Sequence, residues 1–408
     1  MPAIADAVSP NPREPGMTRS QNSTSHPVVR QCTSLTTAAQ LWQHLALQHA
    51  TDDLETFFPC FHAWASSESL ADPLPLFVAC TGDEPFALLP VIRDLRRVKG
   101  IKLAVLKTAG NDHWNAGPPI VGRNPEASLV ALLQGLARRR DWDMLELTHI
   151  LDHSHILPLL MRCAQRLNLQ PQISGYVQDP VVMLSGSWKT YFASLSPNLR
   201  SQVKRAEARL HQLGPVAFEE YSAGPDLDLR LEEFYRIEAS GWKGRDGTAI
   251  AHHPKTRRFY TLLAHDAAKR GCLRLYTLRA NGQAVAADFC LAIGTTLYML
   301  KIGYDETWAR CSPGQVMRKR VLEHLFATNA ARIYDMRPHG GTHWGYKLRW
   351  ANHVRRYALL RLFNPRTLCG QLATGANRIR IWLNERNTTT SPQAPTPAMA
   401  PLATSEKL

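Results

Sequence analysis

The segment Leu297-Tyr298-Met299-Leu300-Lys301-Ile302-Gly303-Tyr304-Asp305-Glu306 reads as an apolar strand running into a turn, and Ser312-Pro313-Gly314-Gln315 then opens a run of helical apolar spacing. A strand that stops at a glycine-bearing turn and feeds a new helix presents free backbone N–H groups and the positive end of a helix dipole, which together hold a pyrophosphate. The chemistry this suggests is binding of a nucleotide-containing cofactor around Ser312, Gly314, Gln315 and Val316. A Pro-Gly turn also starts helices that bind nothing, so the neighbouring residues must decide. One of them is Asp288, set between Val285-Ala286-Ala287 and Phe289-Cys290-Leu291. Turned inward, it would have a raised pKa and serve as a base; strand alternation allows the solvent face equally.

The elements that must position these residues follow from period and turn chemistry. Cys272 to Arg279 alternates like a strand, Asn281-Gly282 suits a tight hairpin, and Ala284 to Ile293 is the return strand. Gly294-Thr295-Thr296 turns the chain into the strand holding Tyr298 and Leu300, so three antiparallel strands precede the suspected cofactor turn. After it, Val316, Val321, Leu322, Leu325 and Phe326 recur at helical spacing, and Arg332 to Met336 is a short strand. Two helices come earlier. One starts at Ser196-Pro197 and stops at Gly214; the other spans Asp226 to Ala239 with Leu227, Leu231, Phe234 and Ile237 on one face.

This order resembles the GNAT acyltransferase fold, and more narrowly the GNAT-like family of CelD-type proteins, linked by name to cellulose or exopolysaccharide synthesis and distantly similar to Fem-type aminoacyltransferases. The resemblance is carried by Trp188 with Tyr191, Leu199-Arg200 with Lys204-Arg205, Ser240-Gly241-Trp242-Lys243 with Gly247-Thr248-Ala249, and Phe259-Tyr260. It continues through Leu300 to Asp305, Ser312-Pro313-Gly314, Tyr334-Asp335, Tyr346-Lys347 and Trp350. It runs from Trp188 to Tyr357, with a weaker match from Thr36 to Pro180. The implied fold class is α/β (α+β): tandem GNAT-like domains, each a mixed, mostly antiparallel sheet flanked by helices. The implied co-substrate is acetyl-CoA or another acyl-CoA, with no metal.

The resemblance also implies roles. A backbone N–H near Lys301, Ile302, Gly303 and Tyr304 would polarise the thioester carbonyl. Glu238, Asp288, Asp305, Asp335 and His339 are the candidate bases, with Asp288 and Glu238 foremost. Tyr304 or Tyr346 would protonate the departing thiolate. Glu238, Ser240, Trp242 and Lys243 lie where the family passes from helix to loop, a place suited to lining the acceptor site; Trp242 would stack on a sugar ring or fill the core. Asp335 and Lys347 form a second focus. The run His339-Gly340-Gly341-Thr342-His343-Trp344-Gly345-Tyr346-Lys347 is similar to a Fem-type segment in which an aromatic-Lys pair binds substrate phosphate. Lys347 is then an anion ligand, the alternative being a surface lysine after a core tyrosine.

The first half repeats the plan of the second: a hairpin of Pro75 to Cys80 with Phe86 to Val91, a strand from Ile101 to Thr108, a helix from Ala127 to Ala137 and a strand from Met144 to Ile150. Its loop Gly110 to Pro119 stands where the second half has its cofactor turn but holds no basic residue. The expectation is a first domain that binds no coenzyme A, packs on the second and shapes one wall of an acceptor cleft. The chain of 408 residues divides into a disordered segment 1–30, a degenerate GNAT-like domain 31–184, a GNAT acyltransferase domain 185–364, a helical segment 365–386 and a disordered tail 387–408.

A net charge of +14 with a pI near 9.6 favours anionic ligands, and Arg310, Arg318, Lys319, Arg320, Arg332, Arg337, Lys347, Arg349, Arg355, Arg356, Arg361, Arg366, Arg378 and Arg380 concentrate it late in the chain. One of Arg318-Lys319-Arg320 is placed to reach phosphate oxygens, the alternative being a solvated helix face. The eight cysteines show no metal-ligand spacing and read as reduced core residues. No stretch reaches the roughly 18 apolar residues of a membrane span or the core of a signal peptide, so a cytoplasmic protein is expected. The function expected is acyl-CoA-dependent N- or O-acyl transfer to a sugar-derived or polysaccharide-precursor acceptor, in association with polysaccharide-synthesis machinery. Two alternatives stand beside it: a Fem-type transferase using aminoacyl-tRNA, the one reading with a nucleic-acid partner, and a non-catalytic accessory protein of exopolysaccharide synthesis.

Overall fold

Asn281 and Gly282 take φ of 49° and 75°, the positive pair that a two-residue hairpin requires, and the strands they join lie toward one end of a sheet shared by both halves of the chain. The computed structural model describes residues 27–48, 53–70, 73–82, 84–98, 100–337 and 345–375, apart from the side chains of Val98 and Trp242. The first half contains β1 (Val28–Gln31), α1 (Leu35–Ala46), α2 (Phe58–Ser67), β2 (Leu76–Thr81), β3 (Glu84–Val98), β4 (Ile101–Thr108), β5 (Ile120–Val121), α3 (Pro125–Ala137), β6 (Met144–Leu151), α4 (Ile156–Arg166) and β7 (Gln172–Met183). The second contains α5 (Trp188–Ser194), α6 (Pro197–Gln212), β8 (Val216–Tyr221), α7 (Leu227–Ala239), α8 (Trp242–Arg245), α9 (Pro254–Lys269), β9 (Leu273–Ala280), β10 (Gln283–Ile293), β11 (Thr296–Tyr304), α10 (Pro313–Thr328), β12 (Ile333–Asp335), α11 (Gly345–Leu348) and β13 (His353–Phe363).

The sheet order is β1-β2-β3-β4-β6-β13-β7-β12-β11-β10-β9-β8, with β5 beside β3. Its two ends mirror each other: an antiparallel meander, then one parallel step, β4 on β6 in the first half and β11 on β12 in the second. The strands that follow those steps are exchanged. β7 of the first half lies beside β12, while β13 of the second lies beside β6, and β7 and β13 pair antiparallel over most of their length. The sheet is therefore mostly antiparallel, mixed at two places and flanked by helices, as the tandem GNAT-like reading expects. The chain boundary at 184/185 does not interrupt it.

Helices cover the sheet because each carries one apolar stripe. On one face of the second half, Phe234 of α7 and Phe259, Tyr260 and Leu263 of α9 pack on Phe289 and Leu291, in a cluster continuous with Trp42, Phe61, Trp64 and Trp114 of the first half. On the other, Leu199 and Val203 of α6 and Val321, Leu322 and Leu325 of α10 pack on Cys290, Leu297 and Tyr334. Ser196 caps α6, its hydroxyl accepting from Leu199 N at 3.3 Å, as its Ser-Pro start predicts.

Structure begins earlier than expected: Val28 to Arg30, inside the segment assigned to disorder, pair with Cys80 to Val78. Within 365–386, residues 368–375 are helical. The expectations for residues 1–26, 376–386, 387–408 and His339 lie outside the described residues. Among the described residues, no helix is long and apolar enough to cross a membrane.

Candidate active site

β11 outlasts its neighbour. It pairs with β12 only through Thr296, Leu297 and Tyr298, while on its other side it stays on β10 as far as Tyr304, with an irregularity where Lys301 faces Phe289 and Met299 faces Cys290. The result is a splayed strand end at Lys301, Ile302 and Gly303, where a ligand can approach the backbone. A 3-10 turn over Glu306–Cys311 then leads to Ser312, which is left-handed at φ 46°. Ser312 gives α10 no side-chain cap, and no acid sits in the helix's first turn. Pro313 has no N–H, and the amides of Gln315 and Val316 turn back to Ser312 O at 3.0 and 3.4 Å. The Gly314 amide and the positive dipole end thus remain for an anion. Val316 is fully buried and supports the turn from below, while the Gln315 side chain is held by Trp350 Nε1 at 2.9 Å. Tyr304 stands over the turn: a Cβ added at Gly314 would meet its ring at 3.7 Å.

Glu238 ends α7 fully buried against this strand end. Its Oε2 accepts from Ile250 N at 2.8 Å, and its Oε1 faces Lys243 Nζ at 3.3 Å and Lys301 Nζ at 3.7 Å. Lys243 Nζ also donates to Ile302 O. Burial, then the neighbouring Lys301, pull the Lys243 amine down to about 8, against the pull of Glu238. Burial lowers Lys301 as well, again opposed by Glu238. Two ammonium groups about one carboxylate leave a net positive charge at this strand end.

Asp288 is placed inward, which resolves the alternation question. It is opposite Ile302 in the ladder but packs toward α10, where Arg318 Nη1 reaches its Oδ2 at 3.4 Å. Burial raises its pKa, opposed by Arg318 and Lys243. Arg318 also lies over the Tyr334 ring at 5.2 Å. Tyr346 is half-buried beside this pair, and its phenol is pushed up by burial, with Arg318 opposing. The candidate bases are thus separated, Glu238 on the α7 side and Asp288 on the α10 side.

The basic run of α10 does not reach for phosphates. Arg318 is taken by Asp288, Lys319 by Glu207 at 2.9 Å and Glu323 at 3.5 Å, and Arg320 by Glu207 at 2.8 Å. Much of the late positive charge is matched likewise by acids distant in sequence: Arg337 by Glu55, Arg356 by Asp152 and Arg361 by Glu146.

Asp335 and Lys347 belong to a buried network at the seam. Asp335 is wholly buried, its Oδ1 accepting from Arg337 N at 2.7 Å and its Oδ2 from Arg355, which also holds Asp179 at 2.8 Å. Burial, then the Asp335 charge, raise Asp179 to about 8. Arg337, left-handed at φ 59°, inserts into the first half and donates to Glu55 at 2.7 Å. Lys347 Nζ donates to the carbonyls of Met336 and Arg337 at 2.7 and 2.8 Å, and burial, then Arg318, lower it to about 8. These contacts make Lys347 and Asp335 anchors of the chain after β12. Trp242 stands in α8, but its side chain lies outside the described residues.

Sequence reasoning missed Arg318, Arg337, Glu55, Asp179 and Arg355 as parts of these networks, since no spacing links residues so far apart. The loop after β4 was expected to pack on the second half and to shape one wall of an acceptor cleft; there His113 packs on α9 of the second half.

Residues 197–348 match the family described as acetyltransferase (GNAT) domain. Two solved structures share the overall fold. One is described as FemX, 12% identical at a TM-score of 0.51, covering 78% of this chain and 95% of the other. The second, a conserved protein of unknown function from Bacteroides thetaiotaomicron VPI-5482, is 13% identical at 0.52, covering 82% and 99%. No curated protein matches the chain. The class indicated is therefore a mixed α/β fold of GNAT-like plan, shared with the FemX structure, in which residues 197–348 of the second half are similar to an acetyltransferase (GNAT) domain.

Proposed function

We propose that the protein is an acyl-CoA-dependent N- or O-acyltransferase, acetyl-CoA being the first donor to test, acting on a sugar-derived acceptor in the cytoplasm. The observation that carries the reading is the strand end at Lys301 to Tyr304 opening beside the uncapped start of α10. The Gly314 amide would hold the pyrophosphate, and the free edge of β11 would take the thioester carbonyl. Glu238, with Lys243 and Lys301, governs proton loss from the acceptor; Asp288, paired with Arg318, is the second candidate. Tyr304, over the turn, or Tyr346 gives a proton to the thiolate, each side chain carrying a hydroxyl that can donate. Lys347 and Asp335 shape the site by anchoring the chain beside it. The acceptor class and a link to polysaccharide synthesis rest on the resemblance of residues 188–357 to CelD-type proteins.

A mass-spectrometric screen of acyl-CoA donors against sugar and amine acceptors tests this. An acylated sugar with stoichiometric free coenzyme A is expected. Salt-sensitive tRNA binding without coenzyme A binding would favour the aminoacyl-tRNA reading instead.

A further inference from the structure

The Glu238 cluster is not enclosed by the second half alone. The loop after β4 reaches across the seam, and His113 is the residue it places there. The imidazole stacks on Phe259 with centroids 6.3 Å apart and meets Tyr260 edge-on at 5.4 Å; its Nδ1 is 3.5 Å from the Tyr260 hydroxyl. The loop is rigidly built. Asn111 Oδ1 accepts from the amides of His113 and Trp114 at 2.9 and 3.0 Å. Trp114 is buried, and its indole donates to Leu54 O at 2.9 Å. Burial, then Lys301 and Lys243, bring the His113 imidazole down to about 4, so it is neutral near pH 7. Among the described residues its Nε2 has no hydrogen-bond partner, and in the tautomer that donates Nδ1–H to Tyr260 that nitrogen presents a lone pair.

We propose that His113 is an acceptor-binding residue supplied by the first half, its Nε2 receiving the hydrogen bond of the attacking amine of an amino sugar beside Glu238, Lys243 and Lys301. This rests on the acyltransferase reading above. The positive field that keeps His113 neutral acts on the incoming amine in the same direction, favouring its nucleophilic, uncharged form. In the transfer, the amine nitrogen bonds to the thioester carbonyl carbon and the C–S bond breaks. One N–H proton is lost through the site to solvent and one S–H is formed, so nothing else is consumed.

The test uses the full chain with two probes, glucosamine and acetyl-CoA. Glucosamine should shift the His113 Nε2 resonance in nitrogen-15 NMR. His113→Phe, which keeps the ring packing, should bind glucosamine about tenfold more weakly, the scale of one lost hydrogen bond. Acetyl-CoA affinity should not change, and His113→Gln should recover part of the loss. Equal glucosamine affinity in wild type and His113→Phe, an unmoved Nε2 resonance, or no glucosamine binding at all overturns the proposal. If acetyl-CoA fails to bind while glucosamine still shifts Nε2, the donor reading falls and the His113 assignment stands.

Discussion

A Cβ on Gly303 would lie 2.6 Å from Glu238 Cα and 2.9 Å from its N, so the missing side chain at 303 sets how closely the end of α7 approaches β11. That approach brings the Glu238 carboxylate between Lys243 and Lys301. Gly303→Ala must push α7 outward, and overpacking of this kind costs about 1–3 kcal/mol. Urea unfolding should show that loss, and the Lys243 amine should titrate nearer its ordinary range once its burial is relieved. An unchanged unfolding midpoint would show that the helix yields freely.

Gly314 contrasts with Gly303, since a Cβ there meets only the Tyr304 ring at an ordinary 3.7 Å. Gly314→Val should therefore fold like the wild type while crowding the amide proposed to hold the cofactor. We expect acetyl-CoA affinity by calorimetry to fall by about tenfold or more, as loss of a charge-assisted backbone hydrogen bond implies. Full affinity in a folded variant would remove the α10 start from the cofactor site.

Arg355 holds the Asp179 carboxyl group and is shared with Asp335, both acids being wholly buried. Arg355→Met takes the guanidinium away from this buried acid pair, and removing one partner of a buried ion pair costs about 3–5 kcal/mol. Arg355→Lys should recover only part of it, because one ammonium lacks the guanidinium fork. Chemical denaturation decides; a Met variant as stable as wild type would mean the network contributes nothing.

His149, whose imidazole is brought from 6.5 to about 4 by burial and then by Arg337, makes stability depend on acid. Between those values the unfolded chain binds a proton that the native state does not, so its contribution is complete above pH 6.5 and is lost as the pH falls toward 4. The loss amounts to about 3 kcal/mol. His149→Asn, which suits the left-handed φ of 55°, should flatten this part of the stability profile relative to wild type. Parallel profiles for the two proteins would refute the assignment.

Local chemistry made the second half legible. The Asn281-Gly282 hairpin, the Ser196 cap, the alternation of β9 and β10 and the strand-turn-helix at Ser312 depend on neighbours in sequence, and each stands where the residues indicate. Asp288 shows where such reasoning stops. Its apolar flanks announced a buried strand, but its partner Arg318 lies 30 residues away on another element.

The amino-acid sequence by itself determined the order of strands and helices, the repetition of that order in the two halves and the strand-turn-helix at Ser312, because propensity, period and turn residues act within a few positions. Tertiary structure alone decided that β7 and β13 trade places across the seam, that the late arginines meet acids far away in the chain, and that His113 of one half packs on Phe259 and Tyr260 of the other. Those outcomes depend on which surfaces become neighbours once the sheet is continuous. Burial, charge pairing and the resulting pKa values are properties of that arrangement, which no short stretch of residues encodes.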